Sequence, residues 1–188
     1  MYLNFYKRLF DIALSLVALV LLFPLLVVVA MLIKLFDYGP VIFSQIRVGR
    51  DGGSFNIYKF RSMPVKTGDI PSNQIGTLKL TWLGWIIRRT NIDELPQLYN
   101  ILLGDMSFVG PRPSIISQTE LVELRLQNGA LRCRPGLTGL AQVSSFNDMT
   151  SAQKAALDGA YSQSITFLGD LKIILRTFGY LFTPPPVY

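Results

Sequence analysis

A long apolar run near the start of the chain dominates its pattern of hydrophobic and polar positions. Residues Ile12 to Ile33 form a stretch that is interrupted only by Ser15 and Pro24. A run of this length predicts a helix that is able to cross a lipid bilayer. A cleaved signal peptide is disfavoured, because the apolar region is too long and no small-x-small cleavage site follows it.

The residues leave two membrane arrangements open for this helix. Pro24 lies near its middle, and a proline inside a helix removes a hydrogen bond and introduces a kink. Lys7 and Arg8 precede the run and Lys34 follows it, so the positive-inside rule gives no asymmetry. A re-entrant helix with both ends in the cytoplasm fits this pattern, and so does a kinked helix that crosses the bilayer.

Two segments with strand-like composition follow, from Val41 to Val48 and from Ser54 to Met63. The Asp51-Gly52 turn between them predicts an antiparallel hairpin. The second strand carries Lys59 and Arg61. From the residues alone, this basic face is either an ordinary solvated face or a contact surface for phosphate.

The rest of the chain predicts helices separated by short connections. Pro64 to Lys79 is polar and predicts a loop that can close over a substrate. Apolar periodicity and helix-ending residues predict four helices, namely Leu80–Arg89, Ser114–Asn128, Ser151–Gln163 and Ser164–Phe182. The last has an apolar side and is either an interfacial membrane helix or a packed core helix. The predicted fold class is therefore α+β and mainly helical.

Composition adds a membrane and a phosphate component to this picture. Hydrophobic residues make up 50% of the chain and the mean hydropathy is +0.37, which is high for a soluble domain. The net charge is +6, which suits nucleic acid, an anionic membrane or a phosphorylated substrate. Because no nucleic-acid motif is present, we expect the last two and no nucleic acid.

The absence of histidine excludes several kinds of chemistry. The chain has no histidine and a single cysteine, Cys133, so Ser-His-Asp and Cys-His schemes and histidine-ligated zinc sites are ruled out. A lone cysteine cannot form an internal disulfide and fits a reducing compartment. Any metal would be held by oxygen ligands, which favours magnesium or manganese.

The segment from Arg88 to Pro113 contains the strongest candidate for chemistry. Asn91 followed by Glu94 has capping-box spacing; alternatively Asp93 is the cap and Pro96 lies in the first turn. Either arrangement places the two carboxylates at the positive end of a helix, where phosphate is also favoured. A purely structural alternative is that they only cap the helix.

Arginines surround this acidic pair in the sequence. Gly104-Asp105 predicts the end of the helix, and the rigid turn Gly110-Pro111-Arg112-Pro113 can bring Arg112 back to its start. The planar guanidinium suits phosphate oxygens. Further along, Pro-Gly and Thr-Gly steps after Arg134 predict a tight loop that holds Arg132 and Arg134.

These motifs resemble the signature of a known family. Three blocks, Asp93–Leu98, Gly104–Ser107 and Val109–Pro113, are similar to those of the bacterial sugar transferases, the monotopic phosphoglycosyl transferases that begin lipid-linked glycan assembly. The segment from Arg134 to Val143 resembles a further block of that family. The likeness extends from about Lys7 to Phe182.

The resemblance implies an activity and a set of site residues. A sugar 1-phosphate would pass from a uridine diphosphate (UDP) sugar to a polyprenol phosphate such as undecaprenyl phosphate, with release of uridine monophosphate (UMP). Asp93 would attack the sugar-linked phosphorus, and Glu94 would act as a ligand of Mg²⁺ or as a base. The implied phosphate-binding residues are Lys59, Arg61, Arg88, Arg112 and Arg134.

It also implies an arrangement at the bacterial inner membrane. Residues 1–36 would form a re-entrant anchor kinked at Pro24, among membrane phospholipids, and residues 37–188 a cytoplasmic catalytic domain, the two acting as one unit. Asp93 and Glu94 would hold Mg²⁺ or Mn²⁺. Oligomeric state is left open.

One segment departs from the family pattern. Many members have Asn-Gly-Arg where this chain has Ser144-Ser145-Phe146, which indicates a different contact with the sugar or nucleotide. This departure and the small size favour an N-acetylated 6-deoxy-aminosugar over galactose or glucose. Two other functions stay open: a non-catalytic adaptor that binds anionic lipid headgroups, and a transferase of a phospho-alcohol other than a sugar.

Overall fold

The computed structural model describes residues 5–63, 81–144 and 149–181. Its helices and strands, in chain order, are α1 Lys7–Phe36, β1 Ile42–Val48, β2 Ser54–Phe60, α2 Trp82–Arg89, α3 Gln97–Leu103, β3 Ser107–Val109, α4 Thr119–Gln127, β4 Gly136–Thr138, α5 Leu140–Ser144, α6 Ser151–Gln163 and α7 Phe167–Leu181. The mainly helical α+β class is confirmed. The predicted loop from Pro64 to Lys79 lies outside the described residues, as do Ser145 and Phe146.

The predicted hairpin is present with a tight turn. Strands β1 and β2 are antiparallel, with Ile42 opposite Phe60 and Val48 opposite Ser54. Asp51 (φ 55°) and Gly52 (φ 79°) lie in the left-handed region, which aspartate and glycine tolerate better than other residues. Strand β2 ends at Phe60, three residues earlier than predicted. The Arg61 amide still donates to the Val41 carbonyl, and its side chain donates to the Asp37 and Tyr38 carbonyls after α1.

Helix α1 is longer than the apolar run that predicted it. It runs from Lys7 to Phe36 with Pro24 inside, so the proline does not end the helix, and its length is about 45 Å at 1.5 Å per residue. The helix is long and apolar enough to cross a membrane, and only 11% of its most apolar window is buried within the protein.

The first turns of α1 are bound to the rest of the protein by polar contacts. Lys7 Nζ lies 2.6 Å from Asp170 Oδ2 on α7. Arg8 donates to the carbonyl oxygens of Ile101 and Leu102 at the end of α3. Asp11 is 1% exposed, and its carboxylate accepts hydrogen bonds from the Ser107 hydroxyl and the Phe108 amide of β3.

The middle and the end of α1 pack on the same domain that its first turns contact. One face of the helix contributes to two hydrophobic clusters, whose members include Ala18, Leu19, Leu22, Ile57, Leu98, Ile101 and Met106 in one and Val29, Ile33, Phe60, Leu83 and Ile87 in the other. Beyond the helix, the Asp37 carbonyl accepts from Arg61 and its carboxylate accepts from the Thr81 hydroxyl. The domain therefore contacts α1 from its first turn to its end.

Three predicted helix starts after α1 differ from the observed ones. Helix α2 begins at Trp82 rather than Leu80, because Thr81 has an extended backbone and its side chain accepts from the Gly84 amide as the cap. Helix α4 begins at Thr119 rather than Ser114, because the Ser114 carbonyl accepts from the Val48 amide and the Gln118 side chain accepts from the Ile115 amide. Helix α7 begins at Phe167, three residues after the predicted start. Helix α6 has the predicted bounds, and Thr150 caps it in a capping box with Gln153.

Candidate active site

The acidic pair lies in a short 3-10 turn between α2 and α3. The turn spans Ile92–Glu94 and follows Asn91, which has a left-handed backbone (φ 54°) and makes no capping hydrogen bond. Helix α3 begins at Gln97. Both predicted capping arrangements are therefore wrong: Glu94 does not reach back to the Asn91 amide because its carboxylate binds two cations, which make stronger partners than a neutral amide.

Glu94 is held between a strand and a loop. Lys59 Nζ and Arg112 Nη2 each lie 2.6 Å from Glu94 Oε1, and the Glu94 side chain is 15% exposed. Burial alone would raise the pKa of Glu94, but Arg112 and Lys59 more than offset it and hold that pKa well below its usual range. Glu94 is therefore ionised at neutral pH and paired with both cations.

Asp93 has a different environment from its neighbour. Among the described residues, none donates a hydrogen bond to its carboxylate. Burial is the largest influence and raises the pKa of Asp93 to about 6; Lys59, Arg88 and Arg112 lower it and Glu94 raises it. A carboxylate with a pKa near 6 is ionised at neutral pH and more basic than an ordinary aspartate, which favours nucleophilic attack.

The structure brings together some of the predicted phosphate ligands and separates others. Lys59, Arg88 and Arg112 are close enough to act on the charge of Asp93. Arg61 is buried and donates to the Asp37 and Tyr38 carbonyls after α1. Arg134 Nε donates to the Gly104 carbonyl at the end of α3, at 2.8 Å. The contacts of Arg61 and Arg134 are structural, and phosphate binding by these two residues stays a prediction.

A buried asparagine aligns Lys59 with the acidic pair. Asn100, on α3, is fully buried; its amide nitrogen donates to the Asn56 carbonyl at 2.7 Å and its amide oxygen accepts from the Tyr58 backbone at 3.0 Å. These contacts fix β2 against the helix that follows Asp93 and Glu94. Asn100 was not among the residues predicted from the sequence, although a polar residue between the apolar Leu98 and Ile101 was a signal for it.

A small parallel sheet shapes the loop that carries Arg112. Strands β3 and β4 pair with Ser107 opposite Gly136 and Val109 opposite Thr138, an element that the sequence did not predict. A Cβ atom on Gly136 would lie 2.1 Å from the Gly110 nitrogen, and one on Gly139 would lie 2.1 Å from the Gly110 oxygen. The segment predicted to be a loop holding cations is therefore a close-packed support for the Gly-Pro-Arg-Pro turn.

The oxygen ligands present suit a magnesium ion that arrives with its substrate. Among the described residues no group of three or more histidine, cysteine, aspartate or glutamate side chains could hold a metal by itself. Asp93 and Glu94 offer two adjacent carboxylates, and Mg²⁺ commonly binds to one or two carboxylates plus substrate phosphates. The donor set fits this ion, on the condition that a diphosphate supplies the remaining ligands.

A carboxylate pair next to cations, in a chain with a long apolar helix, fits an enzyme that acts on phosphorylated groups. The family model described as bacterial sugar transferase matches residues 2–184, and the chain belongs to that family, as the motifs predicted. The chain is 40% identical to the UDP-glucose:undecaprenyl-phosphate glucose-1-phosphate transferase of Caulobacter vibrioides, over 97% of this chain and 72% of that protein.

Other relatives differ in length. The exopolysaccharide production protein ExoY of Sinorhizobium fredii is 39% identical over 91% of this chain and 83% of its own. The UDP-glucose:undecaprenyl-phosphate glucose-1-phosphate transferase of Klebsiella pneumoniae is 39% identical over 92% of this chain, which spans only 39% of that protein. The region of likeness therefore corresponds to one part of the longer relative.

Proposed function

We propose that this protein transfers a sugar 1-phosphate from a UDP-sugar to undecaprenyl phosphate through a covalent intermediate on Asp93, an early step of bacterial glycoconjugate or polysaccharide assembly. One observation carries the proposal. Of two adjacent carboxylates, Glu94 is paired with Lys59 and Arg112, whereas the Asp93 carboxylate has a raised pKa and no hydrogen bond from the described residues. Glu94 is therefore suited to holding cations, and Asp93 is suited to attacking phosphorus.

The first step is an attack of an Asp93 carboxylate oxygen on the sugar-linked phosphorus of the UDP-sugar. A bond forms between that oxygen and the phosphorus while the bond from the phosphorus to the bridging oxygen breaks. The bridging oxygen leaves with UMP, and the sugar phosphate stays on Asp93 as an acyl phosphate diester. No proton transfer is required, because Asp93 reacts in its ionised form.

The second step returns Asp93 to its starting state. A phosphate oxygen of undecaprenyl phosphate attacks the same phosphorus, and the bond to the Asp93 oxygen breaks. The products are undecaprenyl diphosphate sugar and the free carboxylate. The acceptor carries its own charge, so this step also needs no general base.

Cations around Asp93 supply the electrostatic part of catalysis. Lys59, Arg88 and Arg112 lie close enough to lower the pKa of Asp93 and would bind the charge that spreads over the phosphoryl oxygens. Magnesium, held by Asp93 or Glu94 with the substrate diphosphate, would supply further charge neutralisation. The lowered pKa of Glu94 supports a role as a cation or metal ligand and argues against its role as a base.

The contacts of α1 support a re-entrant rather than a spanning arrangement. Arg8 and Asp11 at one end and Asp37 at the other contact the same domain. A helix that crossed the bilayer would leave only one of its ends on the side of that domain. Exposed apolar side chains on three helices offer a surface for lipid, among them Val20, Leu21, Trp82, Trp85, Leu168 and Leu175. We place the domain on the cytoplasmic side of the bacterial inner membrane.

This topology can be tested by labelling two single cysteines. In a Cys133→Ser background, we expect Phe5→Cys and Tyr38→Cys, at exposed positions on either side of α1, to react with an impermeant maleimide in inverted vesicles and not in intact spheroplasts. Asp51→Cys in the exposed hairpin turn reports the side of the domain. Labelling of positions 5 and 38 from opposite sides would contradict the re-entrant arrangement and support a spanning helix.

The names of the relatives and the sequence of this chain favour different donor sugars. The relatives from Caulobacter and Klebsiella are named for UDP-glucose, and one from Streptococcus agalactiae is named a galactosyl transferase. These names support a UDP-hexose, whereas the sequence favoured an N-acetylated 6-deoxy-aminosugar. The residues behind that preference, Ser145 and Phe146, lie outside the described part of the chain, so the aminosugar stays a prediction.

Release of UMP tests the reaction and the donor together. The protein in lipid, with Mg²⁺ and undecaprenyl phosphate, is offered UDP-glucose, UDP-galactose, UDP-N-acetylglucosamine, an N-acetylated 6-deoxy-aminosugar donor and a nucleotide-activated phospho-alcohol. We expect UMP from one of the UDP-sugars. Without acceptor, that donor should release no more than one equivalent of UMP and leave its sugar phosphate on the protein.

Each negative result has a defined meaning. Turnover of the phospho-alcohol alone would support the non-sugar transferase. Binding to vesicles of anionic lipid without turnover of any donor would support the non-catalytic adaptor. Multiple turnover of UMP without acceptor, or turnover with no sugar phosphate trapped on the protein, would contradict the covalent intermediate on Asp93.

A further inference from the structure

A buried arginine links the loop of Arg112 to two helices outside the active site. Arg125, on α4, is 3% exposed, and Asp158, on α6, is 1% exposed. Arg125 Nε and Nη2 lie 2.9 Å and 2.6 Å from Asp158 Oδ2. The remaining terminal nitrogen, Nη1, donates to the backbone carbonyl of Arg112 at 2.9 Å. One guanidinium thus joins a buried carboxylate to the backbone of a site residue.

The ion pair is not explained by stability alone. Removing two charges from water costs free energy that their attraction only partly returns, and apolar residues of similar size often serve a fold equally well. What an apolar pair cannot supply is a donor directed at the Arg112 carbonyl. That hydrogen bond fixes the backbone from which the Arg112 side chain, itself 49% exposed, reaches Glu94 Oε1.

We propose that Arg125 is a positioning residue for the transfer reaction, with Asp158 orienting its guanidinium. Through the Arg112 carbonyl, Arg125 sets the direction in which the Arg112 side chain meets Glu94 and the phosphoryl oxygens of the donor. The inference rests on the proposed function. It adds to that function a second layer of residues, contributed by α4 and α6, which do not touch the substrate themselves.

A double-mutant cycle with Arg112→Ala tests this role. Arg125→Lys keeps the charge opposite Asp158. A lysine ammonium, however, cannot reproduce the planar guanidinium, which donates to both Asp158 and the Arg112 carbonyl. We expect kcat for UMP release to fall about tenfold with KM for the donor changed less than about twofold, as when an interaction used mainly in the transition state is lost. In the Arg112→Ala background the same substitution should cost less than about twofold, because no side chain remains to be positioned.

A matched control variant distinguishes a loss of Arg112 positioning from a general loss of packing between α4 and α6. Asn128, the residue that caps the end of α4, donates to the Ala155 carbonyl of α6 at 2.6 Å and makes no contact with Arg112 in the part of the chain described. Asn128→Ala should lower the melting temperature and change kcat by the same factor in both backgrounds. If Arg125→Lys fails to fold, Asp158→Asn takes its place in the cycle, with the same expected non-additivity.

The outcomes distinguish this inference from the function on which it rests. Absence of UMP release by the unmodified protein would overturn the proposed function. Release by the unmodified protein, together with an equal loss from Arg125→Lys with and without the Arg112 side chain, would overturn the positioning role alone. A loss confined to KM would also count against it.

Discussion

Asp93→Asn should abolish transfer while leaving the protein folded. The amide has no charged oxygen with which to attack phosphorus, so we expect UMP release to fall by a factor of about 10⁴ or more, as when other enzymes lose their nucleophile. No sugar phosphate should be trapped on the protein. The measurement is the first turnover in lipid with an excess of donor. Retention of more than about 1% of the normal rate would exclude Asp93 as the nucleophile.

The same substitution should stabilise the protein at neutral pH. Because the pKa of Asp93 is raised from 3.8 to about 6, its ionisation reduces the free energy of unfolding above about pH 6 and has no effect below about pH 4. An amide avoids this cost, which is at most about 3 kcal/mol. The melting temperature of Asp93→Asn should therefore exceed that of the unmodified protein by a few degrees at pH 7.5, and the difference should vanish near pH 4.

A control for both effects is Asp51→Asn, which makes the same chemical change in the exposed hairpin turn. It should alter neither the rate nor the pH dependence of the melting temperature. Equal melting temperatures of Asp93→Asn and the unmodified protein across the pH range would show that burial does not raise the pKa of this carboxyl in the folded protein.

Glu94→Gln should destabilise the protein, in contrast to the change at its neighbour. The substitution removes the carboxylate that pairs with Lys59 and Arg112. Leaving the partly buried Lys59 without its counter-ion should reduce the free energy of unfolding by about 1 to 3 kcal/mol. We expect the transfer rate to fall about 100-fold, because cations that bind phosphoryl oxygens lose their alignment. Both quantities are measured on the same preparation.

The pH profile gives a sharper readout of the Glu94 substitution. Glu94 raises the pKa of Asp93, and Lys59 and Arg112 lower it. Without the Glu94 charge, the acid limb of kcat/KM should move from near pH 6 toward lower pH, since that limb reports the free enzyme. Glu123→Gln, on an exposed part of α4, is the matched control and should not move it. An unchanged limb in Glu94→Gln would show that the two carboxylates are not electrostatically coupled.

Local sequence patterns correctly predicted the structural elements that depend mainly on neighbouring residues. The apolar run predicted α1, the Asp-Gly turn predicted the hairpin, and Gly104 ended α3 with the expected left-handed backbone. The cap at Asn91 failed for a physical reason: capping-box spacing describes one helix, whereas the Glu94 carboxylate binds Lys59, 35 residues earlier in the chain. A rule based on spacing within one helix does not take account of distant residues that bind the same side chain.

The remaining parts of the site depended on contacts between distant segments. Strands β3 and β4 have three residues each, too few for an alternating pattern to appear. Arg125 and Asp158 are separated by 33 positions and have no distinguishing neighbours. Arg112, in contrast, was predicted because proline and glycine fix the local direction of its turn. The residues proposed to face the substrate were thus easier to predict than the residues that support them.

The packing of α1 along the domain has a consequence for how the protein is made. Two hydrophobic clusters include side chains from this helix, so the rest of the chain lacks part of its interior until α1 is present. Because α1 precedes the domain in the chain, it emerges from the ribosome first and can enter the membrane before the domain has been synthesised. The bilayer-bound helix would then act as the template on which the later segments fold, and a chain without it would expose apolar surface and aggregate.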